Sequence, residues 1–451
     1  MFGNFLQRNQ MKKSSSLRVK KTHLPATVLF AAWSIWNTPA HSQTDDHDGL
    51  TTQQLSGHKY TLALEDGVLT GSGADFLLSE AKAAQFFLIG EDHGIAEVPQ
   101  FTAALFQRIY PMGYHHLAIE TGPLTAQWLR SLAAEPNAQQ ACSAFHKENP
   151  FAVPFYHWQE GAALLVAVLK GAQPGVQPLW GLDQEFIMSS KLHFKELLAL
   201  APNDDARKVV NEFYENTQTE FHRMVESKDP GLVFLASAQK ADFEQLENAF
   251  GAQAPLQARE ILFELKTSWE IYAKNFSGAG YESNAQRAGL MKKHFMSYYN
   301  HALAQQDSPP RVLFKFGVYH IKKGRSYTNV YDIGNLAAEL AEANNNHSFH
   351  LFVIGVAGTQ NAYLPFVGNE AEKNKKIDAV TTYDFADIKP FLAAADQKLW
   401  TVFDLRPLRP LLHAQKLGSL APNTKELIWG YDKCGRRHYS IKKIGAFRRK
   451  V

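Results

Sequence analysis

The chain has 451 residues, of which 45% are hydrophobic, 12% aromatic and 20% charged. This composition supplies enough apolar surface for one large core or two moderate ones, and it excludes a wholly disordered, collagen-like or coiled-coil chain. The net charge is +3, from 47 basic and 44 acidic residues, but the first 42 residues contain six basic residues and no acidic one. The remainder is slightly acidic, so its charge gives no reason to expect nucleic-acid binding.

Residues 1–42 have the pattern of a secretory signal peptide. Basic residues precede an apolar run at 24–36, and the small residues Ala40 and Ser42 occupy the two positions that a signal peptidase reads. This run is shorter than the roughly 20 residues needed to cross a bilayer, and no later window is apolar enough to do so. We therefore predict a periplasmic or secreted protein with no stable membrane insertion after signal cleavage.

The sequence contains two cysteines, Cys142 and Cys434, which are far apart along the chain. In an oxidising compartment they could form one disulfide bond. The alternative is two buried thiols that behave as small apolar residues. Metal binding through cysteine is not expected because no CxxC spacing occurs.

Short apolar runs alternate with longer helical patterns after the signal peptide, which is typical of an α/β protein. Several runs are apolar at consecutive positions, as expected for parallel strands that are covered on both faces. The predicted strands are residues 86–89, 117–119, 176–182, 312–316, 349–354, 399–403 and 427–429. The predicted helices are residues 98–109, 126–132 and 336–343.

The stretch 189–305 differs from the rest, since it lacks strand-like runs and is rich in Glu, Lys, Ala, Gln and Leu at helical spacing. We interpret it as an inserted helical subdomain. The predicted organisation is an α/β core with a mostly parallel central sheet flanked by helices, formed by residues 43–188 and 306–451 around this insertion. The basic cluster at 436–450 is expected to be a solvated terminus.

Polar residues follow five of the predicted strands. In an open parallel sheet the ligand crevice lies outside the carboxyl ends of the strands, so these residues have a defined place to work. In chain order they are Glu91 and His93 with Glu97 four residues on, Glu120, Asp183 with Glu185, His320, and Asp404. If the strands are neighbours, their ends bring two histidines and several carboxylates into one crevice.

Histidine with carboxylates suits either general acid/base hydrolysis or divalent metal binding, and the sequence leaves both open. Glu91 and His93 are two residues apart and would project alike from a strand end, whereas His93 and Glu97 would share a helix face. Either glutamate could therefore orient His93. Glu120 could instead be an acidic helix start, Asp183 a helix cap, and Asp404 only the partner of an arginine.

The nucleophile elbow GxSxG is absent, as are HExxH, GxxxxGK[ST] and a GxGxxG after a strand. These absences disfavour an ordinary α/β-hydrolase, a zincin, a P-loop enzyme and a dinucleotide-binding enzyme. A hydrolase of this sequence would therefore use a different constellation of residues.

One set of motifs resembles a known family. Residues 88–94, Leu-Ile-Gly-Glu-Asp-His-Gly, are followed by Glu97, and Leu-Ala-Ile followed by Glu120 comes about one helix later. This pattern resembles the opening of erythromycin esterase-like proteins, which belong to a wider group with the haem-associated ChaN lipoproteins and the TraB and Tiki proteins. Further matches lie at residues 181–184, 284–287 with Met291, 317–320 and 333–336.

The resemblance implies an α/β fold whose Glu and His residues at strand ends form the active site. By this resemblance His93 matches the histidine that activates water, and Arg287 matches an arginine that faces the substrate. The other matching site residues are Glu91, Glu120 and His320. Esterases of the family usually have one more residue between the Glu and the His, so the spacing here is closer to that of ChaN and Tiki proteins.

We predict an exported hydrolase in which His93, oriented by Glu97 or Glu91, activates water against an ester or amide bond of a small-molecule or peptide substrate. Glu120, His320 and Arg287 would complete the site. The substrate-binding candidates are Asp183, Glu185 and Lys315.

The alternative is a periplasmic protein of ChaN type that binds a metal or haem without turnover, with His93, His320 and Tyr319 as ligands. The cofactor stays open: Tiki-like members resemble metal-dependent peptidases, whereas the esterases are described as needing no metal. A divalent metal is thus a candidate, held by Glu91, His93, Glu120 and His320, and haem a less favoured one. A third reading is a catalytically inactive scaffold.

Overall fold

The structure, a computed structural model, describes residues 50–227, 229–252, 254–355, 357–361, 376–378, 388–418 and 420–437. The predicted signal peptide, residues 1–42, lies outside the described residues, as does the basic cluster beyond residue 437. Within the described part, no helix has both the length and the apolar character that a membrane span requires.

The centre of the fold is a mixed, mostly parallel sheet of nine strands among the described residues. In chain order the described strands are β1 Lys59–Glu65, β2 Val68–Thr70, β3 Ala84–Glu91, β4 Tyr114–Ile119, β5 Leu179–Gly181, β6 Arg311–Gly317, β7 His347–Gly355, β8 Thr359–Asn361, β9 Lys376–Asp378, β10 Trp400–Asp404 and β11 Lys433–Arg437. Of these, β8 and β9 form a separate two-stranded sheet, and the other nine form the central sheet. Their order across the sheet is β2-β1-β10-β11-β7-β3-β6-β4-β5. Every pairing from β11 to β5 is parallel, and β10, β1 and β2 form an antiparallel edge. The predicted α/β class is confirmed.

Helices surround the sheet and fill the region between β5 and β6. They are α1 Thr52–Ser56, α2 Ser72–Ala83, α3 Glu97–Ile109, α4 Pro123–Ala134, α5 Ala138–Glu148, α6 Gln159–Lys170, α7 Ser190–Leu200, α8 Asp204–Ser227, α9 Phe234–Ser237, α10 Lys240–Phe250, α11 Leu256–Phe276, α12 Gly280–Leu303, α13 Ile333–Ala343, α14 Lys389–Ala394, α15 Leu408–His413 and α16 Pro422–Gly430. Short 3-10 turns lie at Tyr110–Met112, Pro230–Leu232 and Val318–Ile321. The helices predicted at 98–109, 126–132 and 336–343 correspond to α3, α4 and α13.

The parallel strands are apolar at consecutive positions because both faces of the sheet are covered. All eight residues of β3 are buried. Phe87 and Ile89 belong to the apolar core on one face, whereas Phe86 and Leu88 belong to the core on the other face. A third apolar core joins α7 to α11, in the region between β5 and β6 where no described residue forms a strand. Burial on two faces fixes the register of β3 and therefore the position of Glu91, the polar residue at its end.

Some predicted strand assignments are wrong. Residues 427–429 lie in α16, which begins at Pro422 and buries Leu427 and Ile428 while Trp429 stays 50% exposed. Three apolar residues do not distinguish a strand from a buried helix segment. The strand predicted at 176–182 is shorter in the structure: it is β5, an edge strand that begins directly after Pro178.

The solvated terminus predicted from residue 436 onward is wrong for its first two residues, which lie in a strand. Residues 436 and 437 belong to β11, whose backbone pairs with β7 on one side and with β10 on the other. Its sequence, Lys-Cys-Gly-Arg-Arg, has no apolar run that would predict a strand inside a sheet.

Cys142, on α5, is a buried free cysteine, which agrees with the thiol alternative for that residue. Cys434 lies on β11, where only the backbone is described.

Phe86→Ala should lower the free energy of unfolding by about 3–5 kcal/mol, because it removes a fully buried ring from the sheet core. Phe86 makes edge contacts with the rings of Phe295, Tyr299 and Phe314. The matched control is Phe263→Ala on α11, where the ring is 45% exposed and the loss should be about 1 kcal/mol or less. Urea denaturation followed by circular dichroism measures both, and equal losses would contradict the assignment of β3 as the core strand.

Candidate active site

Four neighbouring strands deliver predicted site residues to one edge of the sheet. The strands β3, β6, β4 and β5 are adjacent and parallel, so their carboxyl ends lie together. Glu91 ends β3, Glu120 follows β4, and Asp183 lies just beyond β5. His320 lies in the 3-10 turn that follows β6. Strand pairing places Glu91 at the same height along the strand axis as Gly317, the last residue of β6.

The Glu120 carboxylate is the centre of this site. Its Oε2 accepts a hydrogen bond from the Gly317 backbone N–H at 2.5 Å and lies 3.5 Å from His93 Nε2. Its Oε1 accepts a hydrogen bond from Arg287 Nη2 at 2.9 Å and lies 3.4 Å from His320 Nε2. Burial favours the neutral acid, but the positive charges of His320 and His93 outweigh it and hold the pKa of Glu120 well below its usual range.

His93 is held by a carboxylate on one side and an aromatic ring on its face. Its Nδ1 lies 2.9 Å from Glu91 Oε1, and its ring stacks on Phe155 with 3.6 Å between centroids. Lys315 Nζ donates to the same Glu91 oxygen at 2.5 Å. Burial opposes the charged imidazole, but Glu120 and Glu91 raise the pKa of His93 to about 9. The pKa of Glu91 is lowered despite burial, chiefly by the charge of Lys315.

His320 forms a second imidazole–carboxylate pair that faces the first across Glu120. Its Nδ1 lies 2.8 Å from Asp332 Oδ2. The other oxygen of Asp332 accepts from the Ile333 backbone N–H at 2.7 Å and so caps α13. Burial and the nearby Arg287 disfavour the cation, but Asp332 and Glu120 raise the pKa of His320 to about 10. Both histidines are therefore mainly cationic at neutral pH.

Arg287 reaches the site from α12 and links two carboxylates. Its Nε donates to Asp183 Oδ1 at 2.8 Å, and its Nη2 donates to Asp183 Oδ2 at 2.5 Å as well as to Glu120. Two parallel hydrogen bonds fix the guanidinium plane. The Arg287 side chain is 19% exposed, His320 11% and His93 10%, against 3% for Glu120, so the three cations form the accessible side of the cluster.

The structure brings together eight charged groups, and seven of them were predicted from sequence: Glu91, His93, Glu120, Asp183, Arg287, Lys315 and His320. Asp332 is the eighth, and sequence reasoning missed it. Its only signal is its place directly before the matching motif 333–336, at a helix N-cap. Gly317 was also missed, although a Cβ there would lie 2.9 Å from His93 Nε2, so only glycine allows this close approach.

Glu97 was one of two glutamates predicted to orient His93, and the structure gives that contact to the other. The partner of His93 Nδ1 is Glu91. Glu97 begins α3, and its charge adds to burial in raising the pKa of Glu160, which puts it beside Glu160. Of the two glutamates considered for orienting His93, the geometry therefore favours Glu91.

Glu185 is a helix cap rather than a substrate contact. Its side chain is fully buried, and it accepts hydrogen bonds from the Leu124 backbone N–H at 2.8 Å and the Thr125 hydroxyl at 2.5 Å. It also pairs with His193 at 3.0 Å. These contacts neutralise and satisfy the carboxylate at the N-terminus of α4. Both carboxylate oxygens are therefore occupied by these internal partners, which corrects the prediction that Glu185 binds substrate.

Asp404 follows a predicted strand but lies at the other end of the sheet. Because β10 is antiparallel to β11, its carboxyl end points away from the carboxyl ends of the parallel strands. Asp404 there accepts from Arg406 Nε at 3.1 Å, and Arg406 also pairs with Glu80. The run at 399–403 gave no sign of strand direction, so the sequence placed this residue with the others.

The donor set does not fit a divalent metal. The described residues include no group of three or more His, Cys, Asp or Glu side chains that could hold a metal ion. Lys315 and Arg287 donate to the carboxylates that a metal would need, and a divalent cation would meet both positive charges. His93 and His320 direct Nε2 at the same carboxylate, so they do not form an open pair of haem ligands either.

Comparison with known proteins gives structural likeness alone. No protein-family model matches the sequence, and no curated protein matches it. Erythromycin esterase EreC, solved as a mutant in its open conformation, matches with a TM-score of 0.56 and 12% identity over 84% of this chain and 97% of that chain. A protein from Bacillus cereus matches with a TM-score of 0.53, and a succinoglycan biosynthesis protein with 0.54, each at 13% identity over 86% of this chain and 96% of theirs. The fold that the resemblance implied is confirmed.

Glu120→Gln should lower the pKa of His93 from about 9 toward the ordinary value of about 6.5, because it removes the charge that favours the imidazolium. The pKa of His320 should fall for the same reason. Histidine resonances followed by NMR across pH measure both midpoints. The matched control is Glu264→Gln, which removes the partner of His294, 2.9 Å away, and should leave His93 unchanged. An unaltered His93 midpoint in Glu120→Gln would contradict the arrangement.

Proposed function

We propose that this protein is a hydrolase that uses His93 to activate water against an ester or amide bond. The observation that carries the proposal is the convergence of His93, His320 and Arg287 on the one carboxylate of Glu120. Buried, strongly coupled titratable groups at the carboxyl ends of parallel strands are typical of catalytic sites. The fold shared with an erythromycin esterase adds support for this class of reaction.

The contact with Glu91 determines which nitrogen of His93 acts. When Nδ1–H donates to Glu91, the lone pair lies on Nε2, which is the nitrogen that faces Glu120. The distance from Nε2 to Glu120 is 3.5 Å, at the outer limit of hydrogen bonding, so Nε2 can accept a proton from water instead. Glu120 would hold the second hydrogen of that water and orient its oxygen toward the substrate.

The remaining cations supply electrostatic stabilisation. Arg287 and His320 both contact Glu120, and both are partly exposed on the accessible side of the cluster. Negative charge that develops on the substrate would be attracted to these fixed positive groups. Asp183 holds the Arg287 plane and Asp332 holds the His320 ring, so neither cation must reorganise during the reaction.

The substrate is proposed to be a small ester, amide or peptide outside the cytoplasm. The basic and apolar pattern of residues 1–42 supports export to the periplasm or beyond. Arg287 comes from α12, so the helical region between β5 and β6 supplies part of the site and would contribute to specificity. Binding of a metal or haem without turnover has less support, because the donor set does not fit either group.

His93→Ala should lower kcat/KM by about 10² to 10⁴-fold, since it removes the proposed general base. Suitable substrates are p-nitrophenyl acetate, p-nitrophenyl butyrate and alanine p-nitroanilide, measured at about pH 9 with the buffer rate subtracted. The control is His413→Ala at the exposed end of α15, which should keep the wild-type rate. A wild-type protein that hydrolyses none of the three substrates would contradict the proposal, as would a His93→Ala variant that keeps the wild-type rate.

The rate should also rise with pH. The pKa of His93, about 9, leaves only a small neutral fraction at neutral pH, and only the neutral imidazole accepts a proton. Below about pH 9, kcat/KM should therefore increase about tenfold per pH unit, and it should level off above that pH. In Glu120→Gln the rise should move to lower pH, because the His93 pKa falls. A flat profile between about pH 6 and 8 would contradict His93 as the base.

A further inference from the structure

The segment from Asn149 to Trp158, which joins α5 to α6, lies against the site and has a strained backbone. Phe151 and Phe155 have φ angles of 62° and 65°, in the left-handed region that bulky residues rarely adopt. Phe155 is the residue that stacks on His93. Strain of this kind persists only where the surrounding structure fixes it, and it concentrates at functional sites.

Tyr156 follows Phe155 and also borders the cluster. Its side chain is 1% exposed, and Lys315 Nζ lies 5.1 Å from the centre of its ring. Burial first, and then the charges of Glu91 and Glu120, raise the pKa of Tyr156 well above its usual range. The phenol is therefore a neutral hydrogen-bond donor beside the catalytic carboxylates.

The Tyr156 hydroxyl is buried and has no hydrogen-bond partner among the residues that the structure describes. A buried donor without an acceptor is destabilising, and each such group in a native structure needs an explanation. The cationic donors Lys315 and Arg287 already have acceptors, since Lys315 donates to Glu91 and Arg287 donates to Asp183 and Glu120. The Tyr156 hydroxyl is therefore a donor that remains available beside these carboxylates.

We propose that Tyr156 Oη donates the hydrogen bond that stabilises the oxyanion of the tetrahedral intermediate, an inference that rests on the proposed hydrolase function. Water oxygen bonds to the carbonyl carbon, His93 Nε2 takes its proton, and the carbonyl π electrons move to the oxygen. That oxygen accepts from Tyr156, which keeps its proton throughout. The carbonyl then reforms, the bond to the leaving oxygen or nitrogen breaks, and the leaving group takes the proton from His93.

Tyr156→Phe tests this role because it removes only the hydroxyl and keeps the ring over Lys315. With p-nitrophenyl acetate, kcat should fall about 10² to 10³-fold while KM changes less than about threefold. Phenyl methylphosphonate, a stable tetrahedral anion, should bind at least about tenfold more weakly to the variant in isothermal titration calorimetry. The thermal midpoint should not fall, since the lost hydroxyl had no partner.

The matched control is Tyr110→Phe. Its hydroxyl is also buried and has no partner within the described part of the chain, but it lies in the 3-10 turn before β4, at the opposite end of the parallel strands. This variant should keep wild-type turnover and phosphonate affinity. An equal loss in both variants would assign the effect of Tyr156→Phe to general packing and overturn the inference.

The phosphonate separates this inference from the hydrolase proposal. If the wild-type protein hydrolyses esters but Tyr156→Phe retains turnover and phosphonate affinity, the oxyanion role is wrong and the hydrolase proposal stands. If no ester is turned over but the phosphonate binds through Tyr156, both the hydrolase proposal and the oxyanion role fail, and Tyr156 is only an anion-binding group. Wild-type protein that neither turns over the ester nor binds the phosphonate overturns both.

Discussion

The arrangement of the site depends on the neutralisation of one buried carboxylate. Glu120 is 3% exposed, and an unpaired charge at that depth would be too costly to keep. Contacts with His93, His320, Arg287 and the Gly317 N–H offset that cost. These partners come from the loop after β3, the turn after β6, α12 and the end of β6. The requirement to compensate Glu120 therefore ties together segments that are distant in the sequence.

The same compensation sets the protonation state of the resting site. Four carboxylates, Glu91, Glu120, Asp183 and Asp332, alternate with four cations, His93, His320, Arg287 and Lys315, so that each acid contacts a base. Such pairing favours the charged forms of Glu91, Glu120, His93 and His320, whose pKa values shift in that direction despite burial. A base must be uncharged to accept a proton, so the pairing that holds His93 in position also limits the fraction of it that can act.

The sequence predicts the sheet part of the site better than the rest. Runs of consecutive apolar residues locate β3, β4 and β6, and the polar residues that end them fall at one edge because those strands are parallel. The direction of β10 and the strand character of β11 have no local signal, so Asp404 was misplaced and β11 was missed. Asp332, Phe155 and Tyr156 join the site through tertiary packing alone, which no spacing along the chain reveals.

The groups of the site come from two kinds of structural element, the strands of the sheet and the segments outside it. Glu91 and Lys315 lie on β3 and β6, inside the sheet, where burial on two faces leaves little freedom to move. The cation Arg287 and the ring of Phe155 come from a helix and a strained connecting segment outside the sheet. In the proposed reaction the base is His93, in the loop after β3, and the Glu91 carboxylate at the end of that strand holds its ring in position. The proposed substrate contacts would come from these segments outside the sheet, where sequence changes disturb the sheet least.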